Sequence, residues 1–385
     1  MSESGRPLLF YSAWPLGYHN VEAERKAVRF AAEGYDVVYV TGVGTRNPRL
    51  SRFAKLADRV RRKLLGSDAA EIPESVSGLC TAAVAVVPPR QVGGVRRFNE
   101  WWLERQLRGA IGGWSDAVAW VRWPTQELVA ALAALRPALL VYESVDANHL
   151  SPGIIEGRWR QVFEDAERAL VDLADVVVVP GEALAERYRP WGRPVEILPH
   201  GVDLGAWRQD RGPSDHPVLG FIGTLDYRLD VPTLRAIAEA RPAWSIRLIG
   251  PQQEGFDASA LADLGNVSVQ GAVEPGAVAG LNSSFDVGVL VYRDHPHYTH
   301  MAPLKALELL AAGAPVVGRR NPALAELGQL VRFAATPEEY IREIEDVIAT
   351  DSADRARERR DAAEAHGWDG ALDSMCRLVL ERLSR

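Results

Sequence analysis

Short, nearly unbroken apolar runs recur along this chain with helical patterns between them, and the series begins twice. The first series has runs at Leu8–Tyr11, Asp36–Thr41, Thr81–Val87, Ala138–Tyr142, Asp175–Val179 and Val195–Leu198. Helical spacing lies between them, most clearly over Val21–Gly34, Glu127–Leu135 and Trp159–Ala174. A strand that is apolar on both faces is covered on both faces, as in a parallel sheet flanked by helices. Pro217–Gly223 opens the second series. Its further runs are Trp244–Ile249, Asn266–Gln270, Asp286–Val291 and Ala314–Val317, with helices predicted over Val231–Ala240 and Pro303–Ala312. Asp230 and Pro232 suit a helix start, and Gly34 and Gly313 suit helix ends. Two β-α series, each with its own first strand, predict an α/β protein with two doubly wound parallel sheets.

A chain of 385 residues suits two domains at roughly 100–200 residues each. The cluster Gly201, Gly205, Gly212, Pro213 and Pro217 sets a hinge near 200–216. The expected division is an N-terminal Rossmann-like domain over 1–204, a second over 205–366, and a C-terminal helix over 367–385 returning to the first. Hydrophobic residues at 47% and charged residues at 25% exclude disorder, collagen-like repeats and coiled coil. Cys80 and Cys376 are far apart, which excludes a disulfide scaffold or zinc ribbon and fits a reducing compartment. The first residues have no apolar core like that of a signal peptide, and the apolar stretch Leu128–Tyr142 is interrupted by Arg136 and Pro137. A cytoplasmic protein is expected.

A net charge of −7 and a pI near 5.7 argue against nucleic acid as a partner. The charge is uneven. Residues 201–385 hold 19 Lys+Arg against 27 Asp+Glu, whereas residues 46–108 hold 13 against 6. This basic block needs an explanation.

In open α/β sheets, ligands bind beyond the carboxyl ends of the strands. No G-x-G-x-x-G follows a strand here, which argues against a nicotinamide-dependent oxidoreductase, and no G-x-x-x-x-G-K-[ST] occurs. The second domain's first strand ends in Phe221-Ile222-Gly223-Thr224-Leu225-Asp226-Tyr227-Arg228. Gly223 lets a backbone approach a ligand and Arg228 can reach an anion, although a plain βα turn would read the same way. The richest stretch is His300 to Val317. The helix start within it offers free N–H groups to an anion such as a diphosphate. Lys305 in the first turn is unfavourable for the helix dipole and makes more sense facing a phosphate. Glu308, one turn on, could accept hydrogen bonds from a vicinal diol such as a ribose. An ordinary amphipathic helix with a Lys–Glu pair would show the same two charges.

The string Pro303-Leu304-Lys305-Ala306-Leu307-Glu308-Leu309-Leu310-Ala311-Ala312-Gly313-Ala314-Pro315 resembles the donor-binding signature of GT-B-type glycosyltransferases, in the retaining glycosyltransferase family 4 / group 1 of bacterial sugar transferases. Leu198-Pro199-His200-Gly201-Val202-Asp203 resembles that family's interdomain linker, with His200 where Asn is usual. Gly220 to Asp230 resembles its phosphate loop, and Leu248 to Pro251 its strand end near the nucleotide base. Asn266-Val267 with Gly271 resembles its base-contacting segment, and Val273 is grouped with it. The matches run from about 140 to 320; the first 140 residues match in layout only.

The resemblance implies a GT-B fold with two Rossmann-like domains facing a cleft, a nucleotide-sugar donor as co-substrate, and no metal or other cofactor. No D-x-D motif occurs. It makes Arg228 and Lys305 the cations that neutralise the donor diphosphate, Glu308 the ribose carboxylate, and Gly223 and Thr224 the backbone-donor loop. Gly250, Pro251, His300, Met301, Ala302, Pro303 and Leu304 complete the expected donor site. One position departs: the first Glu of the family's E-x7-E pattern is His300 here. His295, His297 and His300 crowd one loop, which also invites a metal reading.

In the first domain, the strand ending at Tyr142 is followed by Glu143, Asp146 and His149. Asp146 is the expected group to orient an acceptor hydroxyl or stabilise an oxocarbenium-like centre, with Glu143 and His149 as rivals; helix capping or a salt bridge would equally place a carboxylate there. Gly17 and His19 after the first strand and His200 in the linker are further acceptor or cleft candidates. Within the basic block, Ser51–Leu65 reads as an amphipathic helix, and Arg96-Arg97-Phe98-Asn99-Glu100-Trp101-Trp102 joins basic and aromatic residues. That mixture suits an anionic membrane surface, and so a peripheral protein at the inner face of the plasma membrane reaching a lipid-linked acceptor; a solvated basic helix packed on the domain, or one binding an anionic acceptor directly, would show the same residues. The expected activity is sugar transfer, with retention, to a hydroxyl of a glycan, lipid-linked or secondary-metabolite acceptor. The rivals are a sugar-nucleotide epimerase of the same layout and a non-catalytic nucleotide-binding scaffold.

Overall fold

The computed structural model describes residues 5–16, 21–42, 76–150, 157–205, 216–302 and 304–384. Two compact units emerge: Met1–Pro180 with Leu184–Leu198 and Leu372–Arg385, and Gly181–Ala183 with Pro199–Ala371.

The first unit is built from β1 (Arg6–Ser12), α1 (Val21–Ala32), β2 (Tyr35–Thr41), β3 (Leu79–Ala83), α2 (Gly93–Ala110), β4 (Val118–Val121), α3 (Gln126–Leu135), β5 (Leu139–Glu143), α4 (Arg158–Leu173), β6 (Val176–Val179), α5 (Glu182–Tyr188) and β7 (Val195–Ile197). Its seven strands are parallel in the order β3-β2-β1-β4-β5-β6-β7. The central strands β4, β5 and β6 are buried along their whole length, as their unbroken apolar sequences require.

β3 is shorter than the apolar run Thr81–Val87 suggests, and the reason lies in α2. The Gln106 amide pairs with Ala85 N and O at 3.0 and 2.9 Å, and the buried Asn99 amide pairs with Val87 N and O at 2.8 Å each. Two side-chain amides thus take the hydrogen bonds that a ladder would otherwise supply.

The second unit contains β8 (Val218–Ile222), α6 (Val231–Ala240), β9 (Ser245–Ile249), β10 (Val267–Gln270), α7 (Val278–Ser283), β11 (Val287–Leu290), α8 (Pro296–Thr299), α9 (Leu304–Ala311), β12 (Val316–Gly318), α10 (Pro322–Ala325), β13 (Val331–Phe333), α11 (Pro337–Thr350) and α12 (Ala353–Glu364). The last helix, α13 (Trp368–Leu383), begins in this unit, and its Leu372–Leu383 portion is counted with the first. The six strands are parallel in the order β10-β9-β8-β11-β12-β13. That is the nucleotide-binding order 3-2-1-4-5-6, whose reversal between strands 1 and 4 marks the ligand crevice. Here the reversal falls between β8 and β11. Asp230 caps α6 by accepting from Thr233 N at 3.2 Å, and Pro232 follows in the first turn.

Candidate functional site

The loops leaving β8 and β11 meet at the switch point of the second unit. Gly223 follows β8 with φ +149°, and Gly250 follows β9 with φ +149°. A Cβ on Gly250 would lie 2.0 Å from the Gly223 carbonyl oxygen, and one on Gly223 would lie 2.1 Å from Lys305 Nζ. Both positions need glycine for the backbone angle, and Gly250 also for the space, since its neighbour is backbone, whereas Gly223 faces the movable end of a lysine. Gly223 N donates to Ile249 O at 2.8 Å, and Leu225 N donates to Pro251 O at 3.0 Å, so the two turns are laid together. Thr224 is half-buried in the first of them.

Lys305, in the first turn of α9, lies across Gly223 with its ammonium 5.7 Å from the centre of the Phe221 ring. Among the described residues it has no hydrogen-bond or ion-pair partner. Burial holds its pKa below the ordinary lysine value and Arg228 adds to this, while Glu308 and Asp226 pull the other way. Burial in turn pushes the Glu308 carboxyl up; Asp203 adds to this, and Lys305 and His200 oppose it. His200 is therefore electrostatically coupled to Glu308 inside the second unit. Its segment is held there by Val202 N donating to His366 O at 2.9 Å.

Arg228 is the second cation, and a residue not singled out in the sequence sets its direction. Nε and Nη2 grip the buried Asp226 carboxylate at 2.9 and 2.7 Å, and the Arg228 amide donates to the same group at 3.0 Å. Its Nη1 lies 3.8 Å from Met301 Sδ. The loop after β11 is tied on by further contacts. Tyr227 O–H and the buried His297 Nδ1 share a hydrogen bond of 2.6 Å, and Arg293 N donates to Arg228 O at 2.8 Å. Asn321 donates to Tyr298 O and Met301 O at 3.0 and 3.3 Å. Asp226, Tyr227 and Asn321 thus position the cationic pair. The only signal for Asp226 and Tyr227 in the sequence was their place in the glycine loop, and Asn321, beyond β12, had none.

His295, His297 and His300 are occupied locally. His295 Nδ1 accepts from His297 N at 3.1 Å, His297 pairs with Tyr227, and His300 Nδ1 lies 2.9 Å from Pro296 O. Among the described residues, no group of three His, Cys, Asp or Glu side chains is arranged to hold a metal ion. Ala302 and Met301 line a small pocket with Lys305, Tyr292, Tyr298 and Asn321. Leu304 and Val273 pack on the core of this unit. Pro303 lies outside the described residues, as do Gly17 and His19.

The first unit has its own switch point, between β1 and β4, and among the described residues its charges pair with one another. Glu143, last in β5, binds Lys26 through Oε1, and through Oε2 accepts from Trp120 Nε1 at 2.6 Å and faces Arg122 Nε at 3.0 Å. Glu22 pairs with Lys26 and, at 3.3 Å, with Arg122. Burial would lower the Lys26 pKa, but Glu143 and Glu22 together raise it, so the lysine stays charged. Glu143, expected as a cleft group, is a member of a buried network of two carboxylates and two cations. His149 is buried in a short turn of the same unit. Asp146 is half-buried, and its Oδ1 accepts from Ala147 N at 2.7 Å. The loop carrying it is steadied by Tyr188, whose O–H lies 2.8 Å from Ser144 Oγ and donates to the buried Glu167 at 2.7 Å. The structure thus brings Gly223, Arg228, Met301, Lys305, Glu308 and His200 together in one unit and leaves Asp146 and His149 in the other.

With that geometry in view, comparison with known proteins is informative. Residues 231–376 match the family described as "Glycosyl transferase-like". TuaH of Bacillus subtilis (strain 168), named for glycosyl transfer in teichuronic acid biosynthesis, is 27% identical over 229 residues, 54% of this chain. The match spans 58% of that relative's own length. Among solved structures, the E. coli trehalose-6-phosphate structure bound with UDP-2-fluoro glucose superposes with a TM-score of 0.64 at 12% identity, covering 98% of this chain and 99% of that one. Anabaena Alr3699/HepE in complex with UDP-glucose gives a TM-score of 0.62 at 14% identity, covering 97% and 99%. The fold is that of the GT-B glycosyltransferases, and the chain is similar to them in sequence and in architecture.

Proposed function

We propose that this chain is a GT-B glycosyltransferase that moves a sugar, with retention, from a nucleoside-diphosphate sugar to a hydroxyl of a glycan, lipid-linked or secondary-metabolite acceptor. The observation that carries this reading is Lys305: a cation without a hydrogen-bond or ion-pair partner among the described residues, laid over Gly223 at the switch point where nucleotide ligands bind. Uridine diphosphate is the first nucleotide to test, because UDP-sugars are bound in the two similar structures.

In the reaction the bond between the anomeric carbon and the β-phosphate oxygen breaks, and the electron pair leaves with the diphosphate. The acceptor oxygen bonds that carbon and its proton passes to the departing phosphate or to water. Lys305 and Arg228 stabilise the charge that builds on the leaving group, and the α9 N-terminus adds its dipole. The Asp226 carboxylate fixes the guanidinium before the donor arrives, so little reorganisation accompanies the reaction. Glu308, kept near Lys305 and His200, is the group for the ribose hydroxyls. Asp146 of the first unit is assigned to the acceptor hydroxyl or the oxocarbenium-like centre. No metal is assigned to the reaction. The first unit is also assigned contact with an anionic membrane surface through residues 46–108, of which 46–75 lie outside the described residues. No helix among the described residues is long and apolar enough to cross a membrane.

Incubation of the chain with a panel of nucleotide sugars tests this. Release of nucleoside diphosphate without a new sugar isomer supports transfer or its hydrolytic side reaction. A new isomer would make it an epimerase, and nucleotide binding with neither product would make it a scaffold.

A further inference from the structure

The surface of α2 separates into two faces. Asn99, Leu103 and Leu107 recur at steps of four and are buried. The opposite face carries Arg97, Phe98, Trp101, Arg105 and Arg108, all exposed. Phe98 and Trp101 are 46% and 53% exposed, and Val87 and Val92 just before the helix are 46% and 53% exposed. These four are half of the exposed large hydrophobic side chains among the described residues. Phe98, Trp101 and Trp102 stand as one aromatic cluster, with ring centres 5.8 to 6.3 Å apart. Among the described residues, Arg97 and Arg105 have no carboxylate partner; Arg108 pairs with Glu104 at 2.7 Å.

An exposed aromatic cluster is costly in water and marks a surface that something covers. Aromatic rings with arginines beside them on one helix face match the boundary between headgroups and acyl chains, where rings bury and guanidinium groups meet lipid phosphates. A second copy of the chain is a poorer occupant, because a symmetric pairing would set these unpaired arginines against each other. We infer that the outward face of α2 docks on an anionic lipid surface, with Phe98 and Trp101 inserted and Arg97 and Arg105 on the headgroups. This deepens the proposed membrane contact: under the transferase reading it favours an acceptor held in the bilayer. The lipid binding itself stands or falls without that reading.

Flotation of the full chain with phosphatidylglycerol-containing vesicles tests the inference, against neutral phosphatidylcholine vesicles as reference. Binding to the anionic vesicles is expected at low salt and should fall at 0.5 M salt, roughly three to four times shorter in screening length than 0.05 M. Trp101→Ala with Phe98→Ala should weaken it about tenfold or more. Arg97→Gln and Arg105→Gln should each weaken it about fivefold. Because all four side chains are exposed, melting temperature and the thermal shift given by UDP should stay at wild-type values. Equal binding to neutral vesicles, unchanged binding by the variants, or no binding at low salt would overturn the inference. So would sedimentation showing a dimer that Trp101→Ala dissolves, or a soluble anionic glycan that competes the chain off only when Arg97 and Arg105 are present and Trp101 is dispensable. If flotation fails while UDP still raises the melting temperature, the docking face is wrong and the donor site stands.

Discussion

The two units place charged residues at the same point of the same topology and use them differently. At the switch point of the first, Glu22, Glu143, Lys26 and Arg122 pair with one another below the surface. At that of the second, Arg228 is aimed by Asp226, while Lys305 has no hydrogen-bond or ion-pair partner among the described residues and lies over a glycine. A buried network of paired charges holds structure, because removing one member strands the others. A cation with no ion-pair partner among the described residues, in a place where backbone can approach, is suited to an incoming anion. Equal motifs at strand ends therefore do not mean equal roles; the distinction lies in which charges are already neutralised.

Perturbing each side should give different signatures. The largest effect expected is Glu143→Ala, which leaves Lys26 and Arg122 buried without their shared carboxylate. It should cost about 3–5 kcal/mol of stability, read as a lower denaturation midpoint. Wild-type stability with lost activity would instead return Glu143 to the reacting centre. Next, Lys305→Ala should leave the melting temperature nearly unchanged and lower kcat/KM for the donor about 10²-fold or more. Gly223→Ala should follow, with about 1–3 kcal/mol of backbone strain and a displaced ammonium. Its loss of donor affinity should exceed that of Thr224→Ala, measured by nucleotide titration.

The pH dependence of UDP affinity sharpens the same comparison. Glu308 titrates above an ordinary glutamate, so as pH falls its carboxylate is lost earlier than usual. Lys305 titrates below an ordinary lysine, so as pH rises its charge is lost earlier than usual. Affinity should decline at both edges, and Lys305→Arg should extend the alkaline one. An alkaline edge indifferent to Lys305→Arg would remove that lysine from the diphosphate. The smallest effect is expected for Tyr227→Phe, which removes one hydrogen bond between the loops after β8 and β11, worth about 0.5–1.5 kcal/mol. It should raise KM more than it changes kcat.

Much of the fold could be read from the chain because parallel strands covered on both faces are written as continuous apolar runs. β1, β2, β5, β6, β8 and β11 all carry that signature. β4 went unread because Val118–Val121 is four residues long and runs directly into Arg122-Trp123. α2 went unread because it begins with two glycines, lacks a side-chain cap and buries a polar residue, Asn99, in its apolar row. The same Asn99 and Gln106 ended β3 early. In the candidate site, the grouping of Gly223, Lys305 and Glu308 in the second unit was legible because glycine and charge stand at its strand ends and helix start. Asp226 and Tyr227 were not, since a carboxylate two residues before an arginine reads as loop polarity until the backbone turns it inward. Glu143 misled for the complementary reason: its partners Lys26, Trp120 and Arg122 come from other elements, and sequence distance hides them.

The central claim is that the second unit binds a nucleoside diphosphate through Lys305. Calorimetric titration of the full chain with UDP, and of its Lys305→Ala variant, tests it most directly. A saturable single site in the wild type, weakened about tenfold or more by the substitution, is the predicted result. Failure of the wild type to bind UDP or any other nucleoside diphosphate, or equal affinity in the two proteins, would contradict it.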